Sequence, residues 1–345
     1  MASDKGNLKG GVAEEALRSY FNSIGYYTAR GVPFEYSGYT LTDVDLFLYL
    51  KESSISRTRS NVDIKRKRTP QAMERIFWAK GLQDVLGLDS CIVSTTDKRF
   101  ETVQFGRAHD VVVLDGHFMQ RVLSYSPEKD GRIPEEDFIK MIDSRSIAQP
   151  NTWLKAQYEE SKKLLLTELN FNGCNLLLGK IDLALQEYQV TGGAYEPAVR
   201  LFYAFVSYFL ISLDYVSRSF SYRSTDERKK EMSDGFKYGE SGKSRVEEIS
   251  RIAVSLVEQS TSGDLVIKNG LTDELERQMS EFPAEILVEY FGKSEHQKSM
   301  FDDARYFERM AYSKLLMEPK ELESHPKGIV AVICDFLRID RKLII

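Results

Sequence analysis

The chain has 345 residues, 42% of them hydrophobic and 29% charged, a balance that suits a folded protein with room for two domains. A formal net charge of −5 excludes a polycation that binds nucleic acid over its whole surface, so anion binding has to come from local clusters. Three scattered cysteines (Cys91, Cys174, Cys334) and four unclustered histidines exclude a disulfide framework and a zinc spacing.

The opening MASDKGNLKGG has no apolar core, so neither a leader nor an anchor is expected, and the reading is a cytoplasmic protein with no membrane partner. A first helix follows in GGVAEEALRSYFNSIGY. It places Val12, Ala16, Tyr20 and Ile24, with Ala13, Leu17 and Phe21, at helical spacing, and Gly25 ends it. YYTARGVPFEY predicts a strand that Pro33 pushes to an edge or a bulge. DVDLFLYL and NVDIKRK are the next two strands, separated by the polar loop KESSISRTRS. Thr69 and Pro70 can open a helix through QAMERIFWAKGLQDVLG. SCIVSTT predicts a buried strand, FETVQFGRAHD a short helix and VVVLDG another buried strand. This order gives a compact α/β domain over residues 1–125.

Pro127, Pro134 and Pro150 mark a looser stretch, so residues 126–152 are expected to be a linker. From Trp153 onward the pattern is helical with no fixed-period repeat, giving a mainly α-helical domain over 153–345 for dimerisation, recognition or partner docking. Its most apolar run, LFYAFVSYFLISL, is too short to span a bilayer comfortably and suits a buried helix.

The candidate chemistry lies in the first domain. Side chains two apart on a strand share a face, so Asp63 and Lys65 point the same way, and Asp45 on the preceding antiparallel strand can converge with Asp63 on one ion. Phosphodiester hydrolysis needs charge neutralisation on the phosphate and an activated water. Carboxylates holding Mg²⁺, with a lysine nearby, supply both. The first helix adds Glu14 and Glu15. Taken alone, Asp63 and Lys65 are an ordinary surface ion pair; Asp45 within an apolar strand is the less ordinary residue, since a buried acid needs a partner.

A helix glutamate, a strand aspartate and then D-x-K on the following strand resemble the signature of the PD-(D/E)xK, or restriction-endonuclease-like, nucleases. The surroundings resemble the Mrr-type and Holliday-junction-resolvase-like branches: EEALRSYFNSIGY leads into DVDLFLY, and CIVSTTDKRFETVQFGRAHDVVVLDG is similar to their strand–helix–strand ending. The resemblance covers roughly residues 8 to 120, and it implies a restriction-endonuclease-like mixed sheet flanked by helices. It also implies Asp45 as main metal ligand, Asp63 as the second, a backbone carbonyl from Ile64, and Lys65 as the catalytic lysine. Glu14, in the register of the family's helix glutamate, would complete the shell. Two departures stand out: Val44 replaces the usual proline, and Asp63 stands where Mrr-type proteins often have Glu or Gln.

The implied function is a Mg²⁺-dependent DNA endonuclease, with Mn²⁺ as a substitute metal, serving in restriction or defence. Two duplex cuts would call for a homodimer or larger assembly, and an ATPase or other defence-complex subunit is a further expected partner. The alternatives are a catalytically silent nucleic-acid-binding scaffold and a ribonuclease. Arg57, Arg59, Arg66, Lys67 and Arg68 would grip flanking phosphates without reading sequence; Gln71, with Glu74 and Arg75, opens the next helix, where either contact with DNA or helix-end solvation is expected.

Other polar residues read as structural. Ser94, Thr95 and Thr96 are expected to cap local backbone, Asp43 to sit in a strand-end turn, and His109 and His117 to flank the last strand. YGESGKS at 238–244 ends like a P-loop, but Lys237 occupies the position of the motif's first glycine and no buried strand precedes it.

Overall fold

The computed structural model describes residues 2–65, 71–124, 131–143, 153–193, 195–260 and 281–345, with Asp273, Glu274 and Arg277. Helix α1 (Ala2–Ser23) leads into β1 (Tyr27–Tyr36), β2 (Tyr39–Lys51) and β3 (Arg57–Lys65). Then come α2 (Ala72–Leu86), β4 (Ser90–Thr95), α3 (Phe100–Ala108), β5 (Val111–Leu114) and α4 (Gly116–Ser124). The strands form one five-stranded mixed sheet in the order β1-β2-β3-β4-β5. The β1–β2 and β2–β3 pairs are antiparallel, whereas β3–β4 and β4–β5 are parallel, because α2 and α3 carry the chain back across the sheet.

Local sequence explains the joints. Gly25 closes α1 with φ of 105°, its N–H bonding Asn22 O while Tyr26 N–H bonds Phe21 O, a Schellman ending that a left-handed glycine permits. Pro33 lies on the edge strand, and the β1–β2 register shifts between Phe34 and Glu35. Of the two apolar stripes expected on α1, the structure buries Ala13, Ala16, Leu17 and Phe21 and leaves Val12 and Ile24 about half exposed.

The pleat sorts the two faces of the sheet. Leu46, Val62 and Ile92 stand in register and carry α1 and α4. Phe47, Asn61 and Cys91 stand in register on the other face. There α2 and α3 cover β3 to β5, and the helical half covers β1 and β2.

That half consists of α5 (Glu135–Ile142), α6 (Trp153–Thr167), α7 (Phe171–Val190), α8 (Glu196–Ser217), α9 (Thr225–Tyr238) and α10 (Gly242–Ser260). It continues with α11 (Ala284–Phe291), α12 (Ser294–Tyr312) and α13 (Ser324–Phe336). The expected linker is thus partly helix: α5 lies within it and buries Phe138 and Ile142. Helix α8 has 22 residues, with the apolar run in its middle, and is long and apolar enough to cross a bilayer by length and composition. Its apolar window is 94% buried among the other elements, which accounts for its being hydrophobic all round. The rejected P-loop stretch is a 3-10 turn and the start of α10, preceded by helix α9.

One core runs through both halves, joining Tyr27, Phe47 and Tyr49 of the sheet to Tyr158, Phe205, Phe209 and Phe301 of the helices. Buried charge reinforces the seam. Asp214 on α8 accepts from Tyr49 Oη at 2.6 Å, Lys51 Nζ at 3.0 Å and Arg57 Nη2 at 3.0 Å. A second buried group centres on Glu135, which accepts from Tyr158 Oη at 2.7 Å, Lys162 Nζ at 2.8 Å and Tyr312 Oη at 2.8 Å, with Arg18 Nη1 at 3.4 Å.

Candidate active site

Asp45 and Asp63 come from antiparallel β2 and β3, one step beyond the Leu46–Val62 pair. Alternation with Phe47 and Asn61 puts both on the α2 side of the sheet. A pocket of about 120 Å³ opens there, lined by Asp43, Asp45, Asn61, Asp63 and Lys65 of the strands and by Arg75 and Trp78 of α2. The three residues at the heart of the expected site therefore share one recess. Asp43, expected in a turn, lies within β2 opposite Pro33 and joins the lining.

Asp45 Oδ2 accepts the Ile64 N–H at 2.6 Å, which ties the end of β2 to β3 beside Asp63. Burial pushes the Asp45 carboxyl up to about 6; Glu14 and Asp43 add to the rise, and the Ile64 N–H and Lys65 oppose it. Asp45 forms no ion pair with another described residue.

Asp63 is only 6% exposed and is already matched. Arg75, in the first turn of α2, donates to it from Nε to Oδ2 at 2.8 Å and from Nη2 to Oδ1. The Arg75 guanidinium also lies 5.6 Å from the ring of Trp78, which is 49% exposed. Asn61 donates from Nδ2 to Ala79 O at 3.2 Å, leaving its buried Oδ1 without a partner.

Glu14 stands apart from this recess. It sits on α1, on the opposite side of the sheet, where Arg30 Nε donates to its Oε2 at 2.7 Å. Arg30 gathers Glu15 and Glu136 as well, at 2.6 Å and 2.5 Å. Glu14 reaches the pocket only through its effect on the Asp45 charge. Among the described residues no group of three or more His, Cys, Asp or Glu side chains is gathered to hold a metal.

The basic residues separate in the same way. Arg57 is 8% exposed and paired with Asp214, so it is a strut inside the protein and not a phosphate contact. Arg59 bonds Gly87 O at 2.6 Å and covers the Tyr215 ring at 4.8 Å. Both occupy the end of β3 away from Lys65, and six residues of strand put Arg59 roughly 20 Å from it. Gln71 is exposed at the entrance to α2 with no side-chain capping bond. Arg66, Lys67, Arg68, Thr69 and Pro70 lie outside the described residues.

The remaining polar residues behave as local structure. Thr95 Oγ1 accepts the Asp97 N–H at 3.1 Å, Ser94 Oγ meets Met119 Sδ, and His109 packs on Phe105 at 4.6 Å. The site residues that sequence reasoning passed over are Asn61 and Trp78, and it named Arg75 for DNA or helix-end solvation without its pairing to Asp63. Asn61 was legible from the strand period, two before Asp63 and four before Lys65. Arg75 and Trp78 depended on how α2 lies across the sheet.

No known family, curated protein or solved structure matches the chain.

Proposed function

We propose that the chain is a divalent-metal-dependent nuclease of the restriction-endonuclease-like kind, acting on DNA in restriction or defence. The observation that carries this reading is the placement of Asp45, Asp63 and Lys65 around one pocket at the junction of β2 and β3. An acid pushed up to about 6 with no ion pair to a described residue, beside the unpartnered Asn61 Oδ1, is a set of hard oxygens suited to Mg²⁺ or Mn²⁺. Asp45 and Asp63 would hold the ion, with the Ile64 carbonyl as the third protein oxygen. A bound divalent cation supplies charge neutralisation on the phosphate and makes a nucleophile available near neutral pH.

The chain's own groups account for the rest. Lys65, on the same strand face as Asp63, places a positive charge where a scissile phosphate accumulates negative charge. Arg75, released from Asp63, would be free to hold a phosphate oxygen bidentately. Trp78 at the pocket rim offers a flat face on which a base can stack.

One observation favours the second reading, a silent nucleic-acid-binding scaffold. Arg75 neutralises Asp63, and Glu14 is held by Arg30 on the other side of the sheet, contacts that need no metal. A nuclease assay on linear, circular and single-stranded DNA and on RNA separates the two. The enzyme reading expects metal-dependent cutting by the wild type that EDTA, Asp63→Ala and Lys65→Ala each abolish. Equal inertness of all three proteins, with nucleic-acid binding retained, would establish the scaffold; cleavage of RNA alone would reassign the substrate.

A further inference from the structure

A second and larger pocket, of about 400 Å³, lies between the end of α1, residues 131–132 and helix α12. None of Asp45, Asp63 or Lys65 lines it. Its back wall is fixed by backbone: Ile133 N–H bonds Tyr312 O and Lys314 N–H bonds Gly131 O, both at 2.8 Å. Among the described residues three arginines line it, Arg132, Arg305 and Arg309, against a single acid, Glu308.

Arg132 gives both Nη groups to Glu308, one of them at 2.8 Å, and its Nε is buried without a partner. Asn22 Oδ1 accepts from Thr28 at 2.8 Å, but its Nδ2 is likewise buried and unpartnered. Arg305 donates to Asn22 O at 3.0 Å and lies 3.6 Å from the exposed Asp302. Arg309 is exposed and forms no ion pair with any described residue.

Both unpartnered atoms are N–H donors without accessible surface, so the donors the cleft presents are the guanidinium groups of Arg305 and Arg309. The excess of guanidinium over carboxylate selects acceptors that carry negative charge. The volume exceeds what a lone phosphate fills and falls in the usual range of small-molecule sites, and Met310 supplies an apolar wall. We propose that this cleft binds a small phosphate-bearing anion of nucleotide size. The proposal is independent of the nuclease reading.

Titration calorimetry of the full chain with inorganic phosphate, AMP and ATP as separate probes tests it. The expected result is one saturable site that prefers a nucleotide to inorganic phosphate. Arg309→Glu, a change on the surface, should weaken binding about tenfold without altering the ligand-free melting temperature. Arg305→Ala should weaken it as well, and Lys65→Ala should not. Phosphate bound as tightly as either nucleotide would keep the anion site and overturn the nucleotide size. Binding lost in Lys65→Ala but intact in Arg309→Glu would move the anion to the β2–β3 pocket and overturn the proposal, as would the absence of saturable binding by every probe.

Discussion

Arg75 and Asp63 form a two-point ion pair, from the first turn of α2 to the C-terminal end of β3, that places a guanidinium where a nuclease of the proposed kind would hold its metal. Protein cation and metal cation would compete for the same carboxylate. Arg75→Gln should therefore bind Mn²⁺ about tenfold more tightly than the wild type. Calorimetry measures this directly, and Trp78, one of only two tryptophans, supplies a fluorescence signal beside the guanidinium. Unchanged Mn²⁺ affinity in the variant would remove Arg75 from any gating role.

Asp45 gives a pH dependence of unusual sign for an acid. Its folded value of about 6 lies above the ordinary 3.8, so between these values the folded state binds more protons than the unfolded state. Its contribution to stability is therefore greatest at low pH and falls as pH rises from about 4 to about 6. Asp45→Asn should remove that slope and stabilise the protein at neutral pH by on the order of 2 kcal/mol, read from urea unfolding at several pH values. On the proposed nuclease function, cutting is expected to be lost in this variant and wild-type cutting to rise with pH through about 6 as the carboxylate forms.

Glu135 should behave in the opposite way. Burial opposes its ionisation, but Lys162 and Arg18, with bonds from Lys162 and Tyr158, bring it down to about 2 from 4.5. Its stabilisation is complete above about 4.5 and is lost as pH falls toward 2. Acid unfolding of Glu135→Gln should accordingly start from a lower stability at pH 7 and show a shallower loss between pH 4.5 and 2. Identical acid transitions in the two proteins would contradict this.

Asp214→Ala should cost about 3–5 kcal/mol, because it leaves Arg57 buried without a counter-charge. Chemical unfolding would measure the loss. Arg57→Ala at the same seam should weaken stability without weakening DNA affinity at fixed salt, which separates a strut from a phosphate contact.

What the sequence made legible was what depends on near neighbours. The αβββαβαβ order followed from hydrophobic period, the α1 ending from Gly25, and the edge position of β1 from Pro33. The pairing of Asp45 with Asp63 and Lys65 followed from strand alternation. The roles of Arg57 and Arg75 were not legible, since each depends on a partner brought in by packing. Asp214 lies 157 residues after Arg57, and Asp63 meets Arg75 only because α2 crosses back over β3. Helix α5 was hidden for a related reason. The prolines around it (Pro127, Pro134, Pro150) read as a loop, while its stability comes from Phe138 and Ile142 entering the common core and from Glu135 meeting cations on two other helices.

The seam at Asp214 has a consequence for how the protein can be divided. A fragment stopping at residue 125 would keep Lys51 and Arg57 but lose the carboxylate between them, and it would expose Phe47 and Tyr49 to water. The half that carries Asp45 and Asp63 is therefore not a portable module. Evolution, or an engineer, could exchange what lies beyond the helices, but the sheet and α8 have to be inherited together.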